Sequence, residues 1–218
     1  KIYGTALTVG TSTTDFTAGA TGVGSEVVTS VTLTPDAAGL SATTAAGAGY
    51  VVTPSAATGT GGFLASNYNI TYAPYSGTVT AKTLTVTGLV ADSKVYDGNT
   101  GASFIGASVL VGVVNSDNVY LNFSGATANF NTKDVGTAKP VTGSGLTLSG
   151  TDAGNYTLTQ LSGTANITVK NLTITATGPT KIYGIALTAE TSTTNFTAGA
   201  TGVGSEVVTS VTLTPDAA

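Results

Sequence analysis

Cysteine, histidine, methionine and tryptophan are all absent from the 218 residues, and so is arginine, leaving seven lysines as the only basic side chains. Each absence removes a class of chemistry. Without thiol or imidazole there is no cysteine nucleophile, no histidine base and no soft metal ligand. Eleven acidic residues against seven lysines give a net charge of −4. A nucleic-acid partner is disfavoured, because phosphate binding needs a basic surface. Attraction to an anionic membrane surface is disfavoured for the same reason. Charged residues make up 8% of the chain against 41% hydrophobic, yet no apolar run is long enough to span a bilayer.

What remains is rich in threonine, valine, serine and alanine, with 29 glycines. β-Branched residues fit a pleated surface, and closely spaced glycines suit tight turns, so the composition predicts an all-β chain. The alternation agrees. Val27, Thr29, Val31 and Leu33 share one face of an extended segment; Tyr68, Ile70 and Tyr72 share another; Val119, Leu121 and Phe123 a third. Period two marks half-buried strands. Turn signals fall between them at Thr34-Pro35-Asp36, Asp97-Gly98-Asn99 and Asp152-Ala153-Gly154-Asn155. No run reads as a helix.

A long repeat dominates the organisation. Lys1–Ala38 recurs as Lys181–Ala218, with changes only at Thr5/Ile185, Val9/Ala189, Gly10/Glu190 and Asp15/Asn195. Near-identity at this distance indicates recent duplication, and a chain that starts and stops inside the repeat is expected to be cut from a longer polypeptide. A weaker period of about 88 residues lies within the unit. Asn67-Tyr68 answers Asn155-Tyr156, and Lys82-Thr83-Leu84-Thr85-Val86 answers Lys170-Asn171-Leu172-Thr173-Ile174. Apolar parity flips at both lysines: Val79 and Ala81 are odd, Leu84 and Val86 even; Ile167 and Val169 are odd, Leu172 and Ile174 even. A one-residue shift turns a strand over. Each lysine therefore marks the place where one domain's last strand runs straight into the next domain's first. The expected domains are 1–82, 83–170 and 171–218, small β-sandwiches joined end to end into a rod. The first of them lacks the strand that Asn171–Thr180 represents, and a neighbouring molecule's copy of that strand could complete it.

Three motifs in order, Lys94-Val95-Tyr96-Asp97-Gly98-Asn99-Thr100, Asn129-Phe130-Asn131-Thr132-Lys133-Asp134-Val135-Gly136 and Leu148-Ser149-Gly150-Thr151-Asp152-Ala153-Gly154-Asn155-Tyr156, resemble the YDG domain. Lys1-Ile2-Tyr3-Gly4, Gly49–Pro54 and Ser66–Tyr72 resemble the MBG domain, the "mostly beta, glycine-rich" family. The resemblance implies an extracellular location, at a bacterial cell surface or in a secreted matrix. It implies a structural stalk or filament segment of a large adhesin, similar to filamentous haemagglutinin, and no enzyme activity. Its partners would be neighbouring repeats of the same polypeptide or end-to-end copies in a fibre. The rival reading is a carbohydrate- or protein-binding module with a host or matrix ligand.

Four sharper readings stand beside blander ones. Asp92, Asp97 and Asp152 are hard ligands that could bind calcium at a junction; as turn-capping carboxylates they need no metal, and no cofactor is expected. Tyr96-Asp97-Gly98 could be a ligand site, or a core tyrosine followed by a turn. Asn69, Asn122, Asn155, Asn166, Asn171 and Asn195 begin Asn-x-Ser/Thr sequons. Lys94 and Lys133 could enter Lys–Asn isopeptide crosslinks if buried beside a carboxylate. No catalytic residues are assigned, and spacing offers no carboxylate pair for hydrolysis.

Overall fold

The computed structural model describes residues 1–216; the last two residues of the second repeat copy, Ala217 and Ala218, lie outside them. The described chain is all-β, with strands gathered in six small sheets. Helix is confined to the single turn Ala37–Leu40 and two 3-10 turns. That α-turn was not expected: Asp36 in the Thr-Pro-Asp signal starts a helix instead of a β-turn. Its Oδ1 accepts from Gly39 N at 2.7 Å, satisfying a donor that a helix start leaves free, and its Oδ2 accepts from Val51 N at 2.9 Å in the strand Gly49–Thr60.

The chain forms two compact units. The first takes Lys1–Gly88, Ser108–Ala126 and Gly145–Gln160; the second takes Leu89–Ala107, Thr127–Ser144 and Leu161 onward. A unit of contact is not a unit of duplication, so these divisions follow a different criterion from the boundaries at Lys82 and Lys170.

In the first unit, Gly10–Ser12, Val27–Pro35, Gly49–Thr60 and Tyr75–Thr78 make an antiparallel sheet in that order. A second sheet sets Lys82–Ala91 between Tyr156–Leu158, which runs parallel to it, and Phe104–Val111. Side chains of both sheets meet in one apolar cluster of Tyr3, Tyr50, Val79, Leu84, Val114 and Tyr156. Val79 and Leu84 are both almost wholly buried, so the two apolar parities on either side of Lys82 turn into the same core. The Tyr68–Tyr72 alternation survives as a half-buried, extended segment that belongs to no sheet.

In the second unit, Lys94–Val95, Ser162–Thr168, Gly136–Ser144, Thr127–Phe130 and Gly101–Ala102 form a five-stranded sheet over Phe130, Val141, Ala165 and Ile167. Lys94–Val95 lies parallel to Ile167–Thr168. Ile2 bridges Thr80 in the same parallel sense in the first unit, so Lys-[Ile/Val]-Tyr makes a parallel pairing in both units.

Candidate functional site: two tyrosine–carboxylate clasps

The feature that recurs is a turn. Val23-Gly24-Ser25-Glu26, Val114-Asn115-Ser116-Asp117 and Val203-Gly204-Ser205-Glu206 have the same pattern. In each, the acidic residue's N–H donates to the valine carbonyl at 3.0–3.1 Å. The second residue has positive φ, 48° at Gly24 and Gly204 and 50° at Asn115. Glycine and asparagine are the residues that tolerate this left-handed backbone. The turn fixes a carboxylate beside an outward-pointing valine.

In the first unit that carboxylate is Asp117. Its Oδ2 accepts from Tyr3 Oη at 2.8 Å and from Tyr156 Oη at 2.5 Å. The two rings meet edge to face, 5.4 Å between centroids. Burial, then the bond to Asp117, pushes both phenols up to about 12, so both remain donors at any physiological pH. The valine of the same turn fills a niche over Gly4: a Cβ on Gly4 would lie 2.5 Å from Val114 Cγ2. Asn155, in the third YDG motif, accepts through Oδ1 from Ala46 N at 2.9 Å.

In the second unit the parts repeat. Tyr96 Oη donates to Glu206 Oε1 at 2.5 Å, and a Cβ on Gly98 would collide with Val203. Lys133 Nζ reaches Tyr96 Oη at 3.3 Å and Glu206 Oε1 at 3.4 Å, and lies 5.9 Å from the Tyr96 ring centroid. The bond from Tyr96 holds the Glu206 carboxyl below its ordinary range, helped by Lys133. Tyr96 is raised, mainly by Glu206. Tyr96-Asp97-Gly98 is thus a site of contact, with protein as its ligand.

The sequence-derived candidates fall around these clasps. Asp97 pairs with Lys94 at 2.7 Å and accepts from Asn99 N at 3.1 Å, and its pKa is lowered by Lys94 first and Asn99 second. Asp152 accepts from Asn118 N at 2.8 Å. Asp92 bonds through its backbone N–H to Ser103 O. Asp92 and Asp97 belong to the second unit and Asp152 to the first. Among the described residues no three acidic groups come together as a metal cage would need.

Lys94 does meet both crosslink partners: Asn99 Oδ1 at 3.1 Å and Asp97 at 2.7 Å. It sits 5.6 Å from the Phe130 ring centroid. Lys94 Nζ also donates to Asn99 O at 2.8 Å, so its contacts with Asp97 and Asn99 staple the turn. The residues that sequence reading passed over are Asp117, Glu206 and their valines. Their signal was present: Val-[Gly/Asn]-Ser-[Asp/Glu] occurs in both copies of the long repeat and once between them.

Neither a curated protein nor a solved structure matches the chain. A family model does match, and it spans Lys82, both YDG-type tyrosine motifs, Val114–Asp117 and most of the closing strand. Residues 80–165 form a YDG domain.

Proposed function

We propose that the chain is a structural stalk or filament segment, built of an MBG-like domain (1–82), the YDG domain (83–170) and the opening of the next MBG-like domain (171–218). The parent would be a large secreted bacterial surface adhesin or extracellular matrix fibre. The observation that carries this reading is the shared core across Lys82. Val79 and Leu84 bury themselves in one cluster where a flexible linker would be polar and solvated. Beside it, Asp117 of one domain takes a tyrosine hydroxyl from the other. A junction with a core resists bending, which is the property a stalk needs and an enzyme does not.

Two measurements test it. In single-molecule pulling, the chain should show a mechanical event that Asp117→Ala weakens; identical traces for both chains would remove the junction's role. Antibody against the chain should label unpermeabilised cells of its source; labelling only after permeabilisation would overturn the surface location.

A second reading, a carbohydrate- or protein-binding module, is favoured by one feature. The first unit has an open groove of about 1080 Å³, with Phe16, Phe63, Tyr68 and Tyr72 in its lining. Specific, saturable binding on a glycan array, lost on Tyr72→Ala, would support this reading over the first.

A further inference from the structure

The opening and closing stretches of the YDG domain are joined to each other by parallel strands. In the first unit the start of Lys82–Ala91 lies parallel to Tyr156–Leu158: Lys82 faces Tyr156, Thr83 faces Thr157 and Leu84 faces Leu158. In the second unit Lys94–Val95 lies parallel to Ile167–Thr168, at the end of Ser162–Thr168. Both pairings link the same two stretches of chain, an opening arm, residues 82–96, and a closing arm, residues 156–168. Side chains keep the same register. Thr83 Oγ1 and Thr157 Oγ1, 74 residues apart, bond at 3.0 Å, and Asn166 N donates at 2.9 Å to Ser93 Oγ, 73 residues before it. Backbone bonds continue the pairing: Thr159 N donates to Leu84 O at 3.0 Å and Tyr96 N to Thr168 O at 2.9 Å.

Parallel pairing is the less common arrangement, slightly weaker per residue, and it needs a long connection between the strands. Here it sits on the arms. The pairings of Gly136–Ser144 with Thr127–Phe130 and with Ser162–Thr168 are antiparallel, as are those of the first sheet. A further parallel contact, Ile2 with Thr80, is held by Tyr3 N donating to Thr80 O and Thr80 N to Lys1 O, both at 2.8 Å.

Strand direction decides what such a pairing does under load. Tension that enters before Lys82 and leaves after Thr168 pulls the opening arm toward its N-terminus and the closing arm toward its C-terminus. In parallel strands those pulls oppose each other along the strands, so the bonds between the arms are loaded together, in shear. The antiparallel ladder of Thr127–Phe130 with Gly136–Ser144 lies between the arms in sequence and bears no tension until they part. Burial adds to the resistance. Leu84 and Ile167 are 0% and 1% exposed, and Tyr156 and Ala165 are buried with them, so sliding the arms would expose both apolar clusters to water. We propose that the paired arms are a shear clamp, through which the YDG domain carries tension along the chain without unfolding.

The clamp deepens the stalk reading and rests on it for its use at a cell surface, but its test is separate. The chain has no cysteine, so introduced pairs give unique handles for single-molecule pulling on the full chain. Ala81→Cys with Val169→Cys loads the arms in shear. Ala81→Cys with Gly154→Cys pulls on the adjacent ends of the two arms and peels them apart bond by bond. Val169 is 70% exposed and a Cβ on Gly154 meets open space, so both positions accept a thiol.

At equal loading rate the shear pair should rupture at a force at least about twice that of the peeling pair, because forced unfolding follows the barrier along the pull and not the equilibrium stability. Urea unfolding should be the same for both pairs. Ser93→Ala, which removes the acceptor of Asn166 N, should lower the shear force and leave the peeling force unchanged, because peeling meets the bonds at Lys82 first. Equal forces in the two directions would overturn the clamp and leave the stalk reading to the antibody experiment. Handles fused to the termini of the unsubstituted chain also pull the arms in shear; a domain rupture there no stronger than the peeling force would overturn the clamp as well. Labelling of cells only after permeabilisation, with the contrast between directions intact, would remove the stalk and leave the clamp.

Discussion

Phe16–Asp36 and Phe196–Asp216 are identical in sequence, yet they are built into different surroundings. Their hairpins agree residue for residue: Gly10↔Leu33 and Ser12↔Val31 in the first copy, Glu190↔Leu213 and Ser192↔Val211 in the second. The Val-Gly-Ser-Glu turn is also the same in both. Everything that depends on distant partners differs. Val27–Pro35 is a nine-residue strand because Gly49–Thr60 lies along it, whereas its second copy keeps only Val211–Leu213. Tyr3 is 3% exposed and Tyr183 fully exposed; Val23 is 52% exposed and Val203 4%. Local sequence sets hairpins and turns, while burial comes from partners distant in the chain.

The comparison extends to the carboxylates. Asp117 takes two hydroxyls, those of Tyr156 and Tyr3. Glu26 takes the single hydroxyl of Tyr68 at 2.5 Å, and Glu206 takes that of Tyr96. Each of the two glutamates thus shows one half of the arrangement that Asp117 shows whole.

The sharpest way to break this comparison is through the paired leucines. Leu84→Ala should lower the stability of the first unit by about 2–5 kcal/mol, the usual range for a fully buried leucine. Leu172→Ala, at the same motif position but partly exposed, should cost less than about 1 kcal/mol. Urea unfolding of both variants checks it; equal losses would mean that Leu172 is buried in solution.

The glycines come next. Gly4 and Gly184 have positive φ, 86° and 81°, so valine strains either backbone. Only at Gly4 does a Cβ meet Val114, and open space surrounds Gly184. Gly4→Val should exceed Gly184→Val by about 1–3 kcal/mol, the scale of an overpacked contact. Parity between them in the same unfolding assay would show that the Val114 niche is unimportant.

The tyrosines give a smaller effect with a pH signature. Tyr3→Phe removes one donor to Asp117 and should cost about 1–2 kcal/mol, whereas Tyr183→Phe should be silent. Burial, then Asp117, raises Tyr3 and Tyr156 to about 12, above the unfolded value of about 10. The folded state therefore keeps its protons longer. The stabilisation is complete below pH about 10 and is lost as pH rises toward 12. Thermal unfolding across that range should fall less steeply in Tyr3→Phe than in the parent chain.

Much of this was legible beforehand, and the reason is locality. The ordered YDG motifs are short stretches of sequence, and residues 80–165 match that domain; the Val27–Leu33 pattern does form a strand, but register shifts between Val28 and Thr32 leave Val27 exposed while Val31 is buried. The clasps were not legible, because Tyr3 and Asp117 lie more than a hundred residues apart, and nothing near Tyr3 announces a carboxylate. Tyr68–Tyr72 shows the opposite failure. Its period is that of a strand, but a strand needs a neighbour to pair with, and pattern alone cannot supply one. The Asp36 helix cap was missed because Thr-Pro-Asp serves equally to open a β-turn or a helix.

The smallest expected effect lies at the acid end of the second clasp. Glu206 is solvent-accessible, yet Tyr96 first and Lys133 second hold its pKa below the ordinary value. For a carboxylate lowered on folding, the unfolded chain takes up a proton first. The contribution is therefore present above pH about 4.3, the ordinary glutamate value, and fades as pH falls through the lower folded value. Tyr96→Phe removes the largest cause. Chemical unfolding of the second unit between pH about 3 and 5 should then depend less steeply on pH in Tyr96→Phe than in the parent. Salt should shrink the Lys133 share, because exposed charges are screened, while leaving the neutral tyrosine's bond in place. If Tyr96→Phe leaves the acid slope unchanged, Glu206 is not clasped in solution. The burial of Val203 would then have to be explained without the tyrosine, and the likeness between the two clasps would reduce to the valine–glycine contact alone.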